Sequence, residues 1–148
     1  MNNSRNIHIV ITLAVMAFIF MHSAMPGELS GSESRYFAEI LASITGMSFQ
    51  AASFIVRKAA HFTEFTVLGI CLAVDFNDWK YSEPVSKRAG ILFQLGAWAA
   101  GTLYAFTDEF HQLFVEGRSC ELRDVCIDAV GVAVGIVFAA IIRKIRVS

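Results

Sequence analysis

Four long apolar stretches alternate with polar segments along the chain. Residues 7–25 hold no acid or base except His8 and His22. Residues 59–76 begin among charged side chains and end at Asp75-Phe76. Residues 89–107 run from Ala89 to Thr107, and residues 125–142 are interrupted only by Asp128. At 1.5 Å of rise per residue, about 20 helical residues cross a bilayer core. The first, third and fourth stretches meet that length as they stand. The second meets it when its helix starts near Ser53. The pattern predicts an all-α integral membrane bundle of four transmembrane helices in one domain over residues 1–148. The spans fall at about 7–25, 53–76, 89–112 and 124–142.

The segment between the first two spans has its own pattern. Ser30 and Glu33 have the spacing of a capping box. Tyr36, Phe37, Ile40, Leu41, Ile44 and Met47 then recur at helical spacing. This predicts a short amphipathic helix. The pattern fits a helix lying in the outer membrane interface and equally one packing on the spans from the aqueous side. The expected fold is four spans plus this amphipathic outer interfacial helix. Residues 77–88, with Trp79, Tyr81 and Pro84, read as a turn with interfacial aromatic anchors.

Composition supports the membrane reading. The chain is 55% hydrophobic and 17% charged, with thirteen phenylalanines and two prolines. A net charge of −1 gives no basis for a nucleic acid partner. Cys71, Cys120 and Cys126 form no CxxC pair, and their odd count argues against a disulfide framework. Cys71 and Cys126 sit in apolar runs and are expected to be buried packing residues. Arg5 precedes the first span, but Met21-His22-Ser23-Ala24 lacks a small-x-small cleavage pattern, so that span is expected to be retained.

Charge sets the orientation. Arg5, Lys80, Lys87, Arg88, Arg143, Lys144 and Arg146 fall on one side of the four spans, with only Asp75, Asp78 and Glu83 as acids. The other side has five basic residues, Arg35, Arg57, Lys58, Arg118 and Arg123, and the ten remaining acids. The positive-inside rule then places both termini in the cytoplasm.

Two polar blocks interrupt this apolar background, and on that orientation both lie at the extracytoplasmic face. The first is Arg57-Lys58-Ala59-Ala60-His61-Phe62-Thr63-Glu64, and the second runs from Asp108-Glu109-Phe110-His111-Gln112 through Gly117-Arg118 to Asp124 and Asp128. A charged residue near the middle of a span costs about 2.5–3.5 kcal/mol, so such residues pair with one another or handle a ligand. Helical spacing puts Arg57, His61 and Glu64 within about 60° of one another, with Lys58 on the flank. Asp108 and Gln112 continue a row of small residues, Ala97, Gly101 and Ala105. Asp124 and Asp128 continue toward Gly131 and Gly135, whose spacing lets helices approach closely, within or between subunits. His61, Glu64, Asp108, Gln112 and Asp128 are thus expected to converge inside the bundle. Gly117 allows a tight turn that sets Arg118 over its mouth. Asp124 suits an N-cap of the fourth span as well as a place in the site. His22, with no spaced partner, reads as a packing or interfacial residue.

At these positions the chain resembles the VanZ-like family of small bacterial membrane proteins. The resemblance rests on Arg57-Lys58-x-x-His61-Phe62-x-Glu64-Phe65, then Asp108-Glu109-x-x-Gln112-Leu113-Phe114-x-x-Gly117-Arg118, then Asp124-Val125 and Asp128-x-x-Gly131-x-x-x-Gly135. It covers roughly residues 54–136. Glu116 departs from it, since the family commonly has proline before Gly-Arg. The resemblance implies a multi-pass protein of the bacterial cytoplasmic membrane with these polar positions as site candidates. It also connects the chain to teicoplanin susceptibility, because the family's namesake is associated with resistance to that lipid-tailed glycopeptide.

Two functions fit these residues. One is a hydrolase or transferase acting on an outer-leaflet lipid or lipid-linked cell-envelope precursor. His61 would be its general acid or base, oriented by Glu64 or Asp108. Asp108, Glu109, Gln112, Asp124 and Asp128 would complete the catalytic group, and Arg57, Lys58 and Arg118 would hold a headgroup phosphate or carboxylate. Ser119 and Thr107 are the nearby hydroxyls. The other is a non-catalytic protein whose ion-paired cluster fixes helix packing or sequesters a lipid or a lipoglycopeptide antibiotic. A divalent metal is a further alternative, because His61-x-x-Glu64 and Asp108-x-x-His111 resemble the carboxylate–imidazole pairs of metal-binding bundles. His111 and Gln112 diverge by about 100°, which weighs against His111 facing inward. Oligomeric state stays open.

Overall fold

The computed structural model describes the backbone of residues 3–80, 87–118 and 120–147, and side chains within 5–26, 34–76, 89–118 and 120–145. Five helices follow one another among the described residues: α1 (Asn3–Ser23), α2 (Gly27–Thr45), α3 (Phe49–Lys80), α4 (Lys87–Gln112) and α5 (Leu122–Val147). Among the described residues there is no strand. Four helices are long and apolar enough to cross a membrane, over Arg5–Ser23, Phe49–Phe76, Ala89–Gln112 and Leu122–Ile145. The chain folds as the all-helical membrane bundle that the hydrophobic pattern predicts.

Helix α3 is the hub. It touches the other four helices, and its contact with α5 is the most extensive in the fold. Glycines make that contact close. A Cβ built on Gly131 would lie 2.7 Å from the Phe62 carbonyl oxygen, and one on Gly135 would collide with the Thr66 carbonyl. Gly69 on α3 is similarly pressed against the backbone of Val132. The Gly131-xxx-Gly135 pair therefore packs within the subunit. Around this seam lie Phe65, Leu68, Ala97, Ala105, Val132 and Ile136, all buried.

The spans alternate in direction, as cross-links at the two ends show. Thr12 of α1 donates to Asp75 Oδ2, near the C-terminal end of α3, at 2.6 Å. At the opposite end Ser23 of α1 meets Asp108, near the C-terminal end of α4. The start of α1 and the end of α5 lie at one end of the bundle, and both polar blocks lie at the other.

Several boundaries move from their expected places. Helix α3 starts at Phe49, not near Ser53, so Arg57 to Glu64 sit from its third turn onward. It continues to Lys80, so residues 77–80 are helix rather than turn, and Lys87 and Arg88 already belong to α4. The expected anchors Tyr81 and Pro84 lie outside the described residues. Helix α2 starts at Gly27, which puts Ser30 inside the helix instead of at its cap. It ends at Gly46, whose φ of 72° suits the left-handed stop that a glycine adopts without strain.

The sides of α2 differ. Ala38 is buried, and α2 packs on α3. Tyr36, Phe37, Ile40 and Ile44 are exposed. Arg35 and Glu39 form an exposed i,i+4 pair along another side. Cys71 is only half-buried and Cys126 is exposed, contrary to expectation. In a span the outward face is also apolar, so an apolar run does not mark burial.

Because the α3–α5 seam has no room for a side chain, Gly135→Val is expected to lower the unfolding free energy in detergent by about 1–3 kcal/mol or more. Ala140→Val, on the exposed face of the same helix, is expected to change it little. SDS titration followed by circular dichroism measures both.

Candidate functional site

The polar blocks converge at the end of the bundle opposite the termini, in two adjoining groups. The first joins α1, α3 and α4. Ser23 Oγ donates to Asp108 Oδ2 at 2.7 Å, and Gln112 Nε2 donates to the same oxygen at 3.2 Å. His22 Nδ1 and Glu64 Oε1 are hydrogen-bonded at 2.6 Å. The His22 and His61 rings stack at 6.2 Å between centroids. Asp108 is 1% exposed, and Ser23 is fully enclosed.

Arg118 closes this group from above. It follows Gly117, whose φ of 74° carries the chain round the turn predicted for it. Its guanidinium donates to Gln112 Oε1 at 3.3 Å, to the His22 carbonyl at 3.3 Å and to the Met25 carbonyl at 3.0 Å. The last carbonyls of a helix have no partner within it. Arg118 thus satisfies the open end of α1 and sits favourably against its negative dipole end. Burial, and then the nearby charge of Arg57, lower the pKa of Arg118 from its usual value.

The second group joins α3, α4 and α5. Lys58 and Asp124 form an ion pair with both side chains mostly buried. Asp124 lies in the first turn of α5, after its start at Leu122, so it serves this pair and is not the cap. Glu109 is 2% exposed, and its Oε2 accepts the Glu121 amide at 3.1 Å. Asp128 is 1% exposed, and neither of its carboxylate oxygens has a hydrogen-bond partner. His61 Nδ1, Glu64 Oε2, Asp108 Oδ1 and Asp124 Oδ1 are also buried without a partner. Buried polar atoms in folded proteins are nearly always hydrogen-bonded. So many open positions in one place suit bound water or a ligand.

A cavity of about 370 Å³ joins the two groups. Arg57, Lys58, His61 and Asp128 line it from the helices, Glu109 and Gln112 from the end of α4, and Arg118 from the turn. Ser34 and Phe37 of α2 and His22 of α1 complete the wall. Arg57 makes no hydrogen bond or ion pair among the described residues, although its charge acts on Arg118.

The predicted residues do not all play their predicted parts. Glu64 binds His22, leaving His61 Nδ1 open instead of fixing its tautomer. Glu64 and Asp108 do not line the cavity; they act one layer behind it, through His22 and Gln112. His111 packs its ring on Phe20 at 4.3 Å, away from the cavity. Thr107 bonds the Tyr104 carbonyl of its own helix at 2.7 Å, and Ser119 lies outside the described residues. His22 lines the cavity and Ser23 bonds Asp108 behind it, although the sequence pointed to a packing or interfacial role for His22 and gave Ser23 no role. The available signal was a histidine near the end of an apolar span, at the same end of the bundle as the polar blocks. Among the described residues no group of three or more His, Cys, Asp or Glu side chains is arranged to hold a metal ion.

A family model described as VanZ/LLP1 matches residues 8–143. No curated protein and no solved structure matches the chain.

Removing Lys58 while leaving Asp124 strands a mostly buried carboxylate, so Lys58→Met is expected to destabilise the fold by about 1–3 kcal/mol. Lys58→Met with Asp124→Leu is expected to recover part of that loss, because the stranded charge goes too. A double-mutant cycle of thermal or SDS unfolding measures the difference.

Proposed function

The chain belongs to the VanZ/LLP1 family, and from that premise we propose that its cavity binds the anionic headgroup of a membrane lipid or lipid-linked envelope precursor at the extracytoplasmic face. One observation carries this reading. Arg57 and Arg118 face a common cavity closely enough to influence each other, and Arg57 has no acid partner among the described residues. Two guanidiniums held together repel, and desolvation adds to the cost. A bound phosphate or carboxylate offsets both, and guanidinium groups match its geometry.

The rest of the lining suits proton transfer to or from what is bound. His61 offers an unengaged ring nitrogen, and Asp128 an unengaged carboxylate. An imidazole and a carboxylate that line one cavity are groups that general acid–base catalysis uses. The reaction class these groups support is hydrolysis or transfer of the headgroup. If the bound molecule is an envelope precursor, an effect on teicoplanin susceptibility follows from the same chemistry.

A second reading, in which the cluster fixes helix packing, draws support from Arg118. That residue satisfies the end of α1. It leaves Arg57 and the open Asp128 oxygens unexplained.

The orientation follows from the Lys and Arg bias together with the bundle's alternation. In the cytoplasmic membrane both termini lie in the cytoplasm, and the exposed apolar side of α2 rests in the outer interface. A reporter fused after Ser148 is expected to read cytoplasmic; an extracytoplasmic signal overturns this orientation.

Native mass spectrometry with phosphatidylglycerol, phosphatidylcholine and a polyprenyl phosphate tests binding. The anionic species are expected to bind preferentially, and Arg57→Ala to weaken them roughly tenfold or more, as loss of a charge-assisted contact does. Unfolding of this variant is expected to match that of the unsubstituted protein. Equal binding of all three lipids, or no change in Arg57→Ala, overturns the proposal.

A further inference from the structure

Beside the cavity lies a second concavity, of about 380 Å³, between α1 and α3. Ile11, Ala14, Phe18 and Val67 are among the apolar residues that line it. Its polar members are Thr63 and Glu64. Thr63 is turned back to the Ala59 carbonyl of its own helix at 2.7 Å, which leaves Glu64 as the charged group of the groove. From Ile11 to Phe18 the groove follows α1 for about 10 Å, away from the polar end.

One hydrogen bond joins the two spaces. Glu64 lines the groove, and its Oε1 bonds His22 Nδ1, which lines the cavity. The other oxygen of Glu64 is buried without a partner. A carboxylate at the head of an apolar groove is costly when only hydrocarbon lies beside it. That cost makes sense where a polar group and a hydrocarbon chain meet. Leu95 and Leu103 on α4 are also exposed and apolar, and neither lines this groove or the cavity.

We infer that the α1–α3 groove holds one hydrocarbon chain of the same molecule whose anionic headgroup occupies the cavity, with His22 and Glu64 at the junction of head and chain. This rests on the headgroup reading above. The ligand class is then a long-chain phosphate ester, with its phosphate toward Arg57 and Arg118 and its chain along Phe18 and Val67. A free phosphate or a headgroup severed from its chain fills only half of the site.

The test compares butyl phosphate with hexadecyl phosphate on the full-length protein in detergent, using the unsubstituted chain and Ala14→Phe. Ala14 is exposed in the groove and belongs to neither polar group. Partition of the long ester into micelles acts on both proteins alike, so the readout is the ratio between them. Ala14→Phe is expected to lose affinity for hexadecyl phosphate about tenfold, as exclusion of a few buried methylenes does, and to bind butyl phosphate unchanged. If butyl phosphate binds and Ala14→Phe leaves hexadecyl phosphate unaffected, the chain inference falls and the headgroup reading stands. If neither ester binds the unsubstituted protein, the headgroup reading falls and takes this inference with it.

A second arm needs no variant. Hexadecyl phosphate carrying a diazirine in its chain is expected to label Phe18 and Val67 well above Leu95 and Leu103. Uniform labelling of the four overturns the inference.

Discussion

The backbone contact between α3 and α5 sets the geometry on which the site depends. Gly131 and Gly135 let α5 lie against the carbonyls of Phe62 and Thr66, and Gly69 receives Val132 from the other side. In lipid no hydrophobic force drives helices together, so close packing and interhelical hydrogen bonds must do so. Asp128 and Asp124 lie on the same side of α5 as these glycines, about one and two turns before Gly131 respectively. The seam that brings the helices together therefore also brings Asp124 to Lys58 and holds Asp128 at the cavity wall.

A second set of contacts hangs the remaining elements on this pair. Helix α1 has no broad seam with α4, and Ser23, Tyr104 and Arg118 tie it in place instead. Tyr104 donates to the Met16 carbonyl at 2.6 Å, while Ser23 reaches Asp108 and Arg118 reaches the carbonyl of His22 in the last turn of α1 and that of Met25 just beyond it. Each bond satisfies a group that hydrocarbon cannot, which is why such contacts hold in a membrane. The consequence is economy of residues: Asp108, Gln112 and Arg118 position one another and position α1, while Gln112 and Arg118 also line the cavity.

Much of this was legible in the sequence because it is local. Ala97, Gly101, Ala105, Asp108 and Gln112 share one stripe by helical spacing, and all of them are buried. The same reading placed Asp124, Asp128, Gly131 and Gly135 together on α5. It failed where the information was not local. The partner of His22 is 42 residues away, and that of Ser23 is 85 away. No helical spacing links such pairs; only the packing of α1 on α3 and α4 creates them. The burial expected of Cys126 failed for a different reason. An apolar run in a span is read against water, but its outward face meets lipid.

The division between packing and function can be drawn residue by residue. Lys58 has Asp124, Glu64 has His22, Asp108 has Ser23 and Gln112, and Arg118 has the end of α1. For these, interhelical fixation alone explains much of the cost of burial. Arg57 and Asp128 have no such account. Arg57 adds a like charge beside Arg118, and Asp128 adds a carboxylate among Glu109, Asp108 and Asp124. Selecting for stability alone favours apolar replacements at both positions. An opposite-charge pairing of the two would also have been enough. Instead both line the same cavity, Arg57 as a cation with no acid partner among the described residues and Asp128 as a buried carboxylate whose two oxygens have no hydrogen-bond partner there. Packing explains the frame of this site, and the proposed anionic headgroup would account for what the frame leaves unpaired.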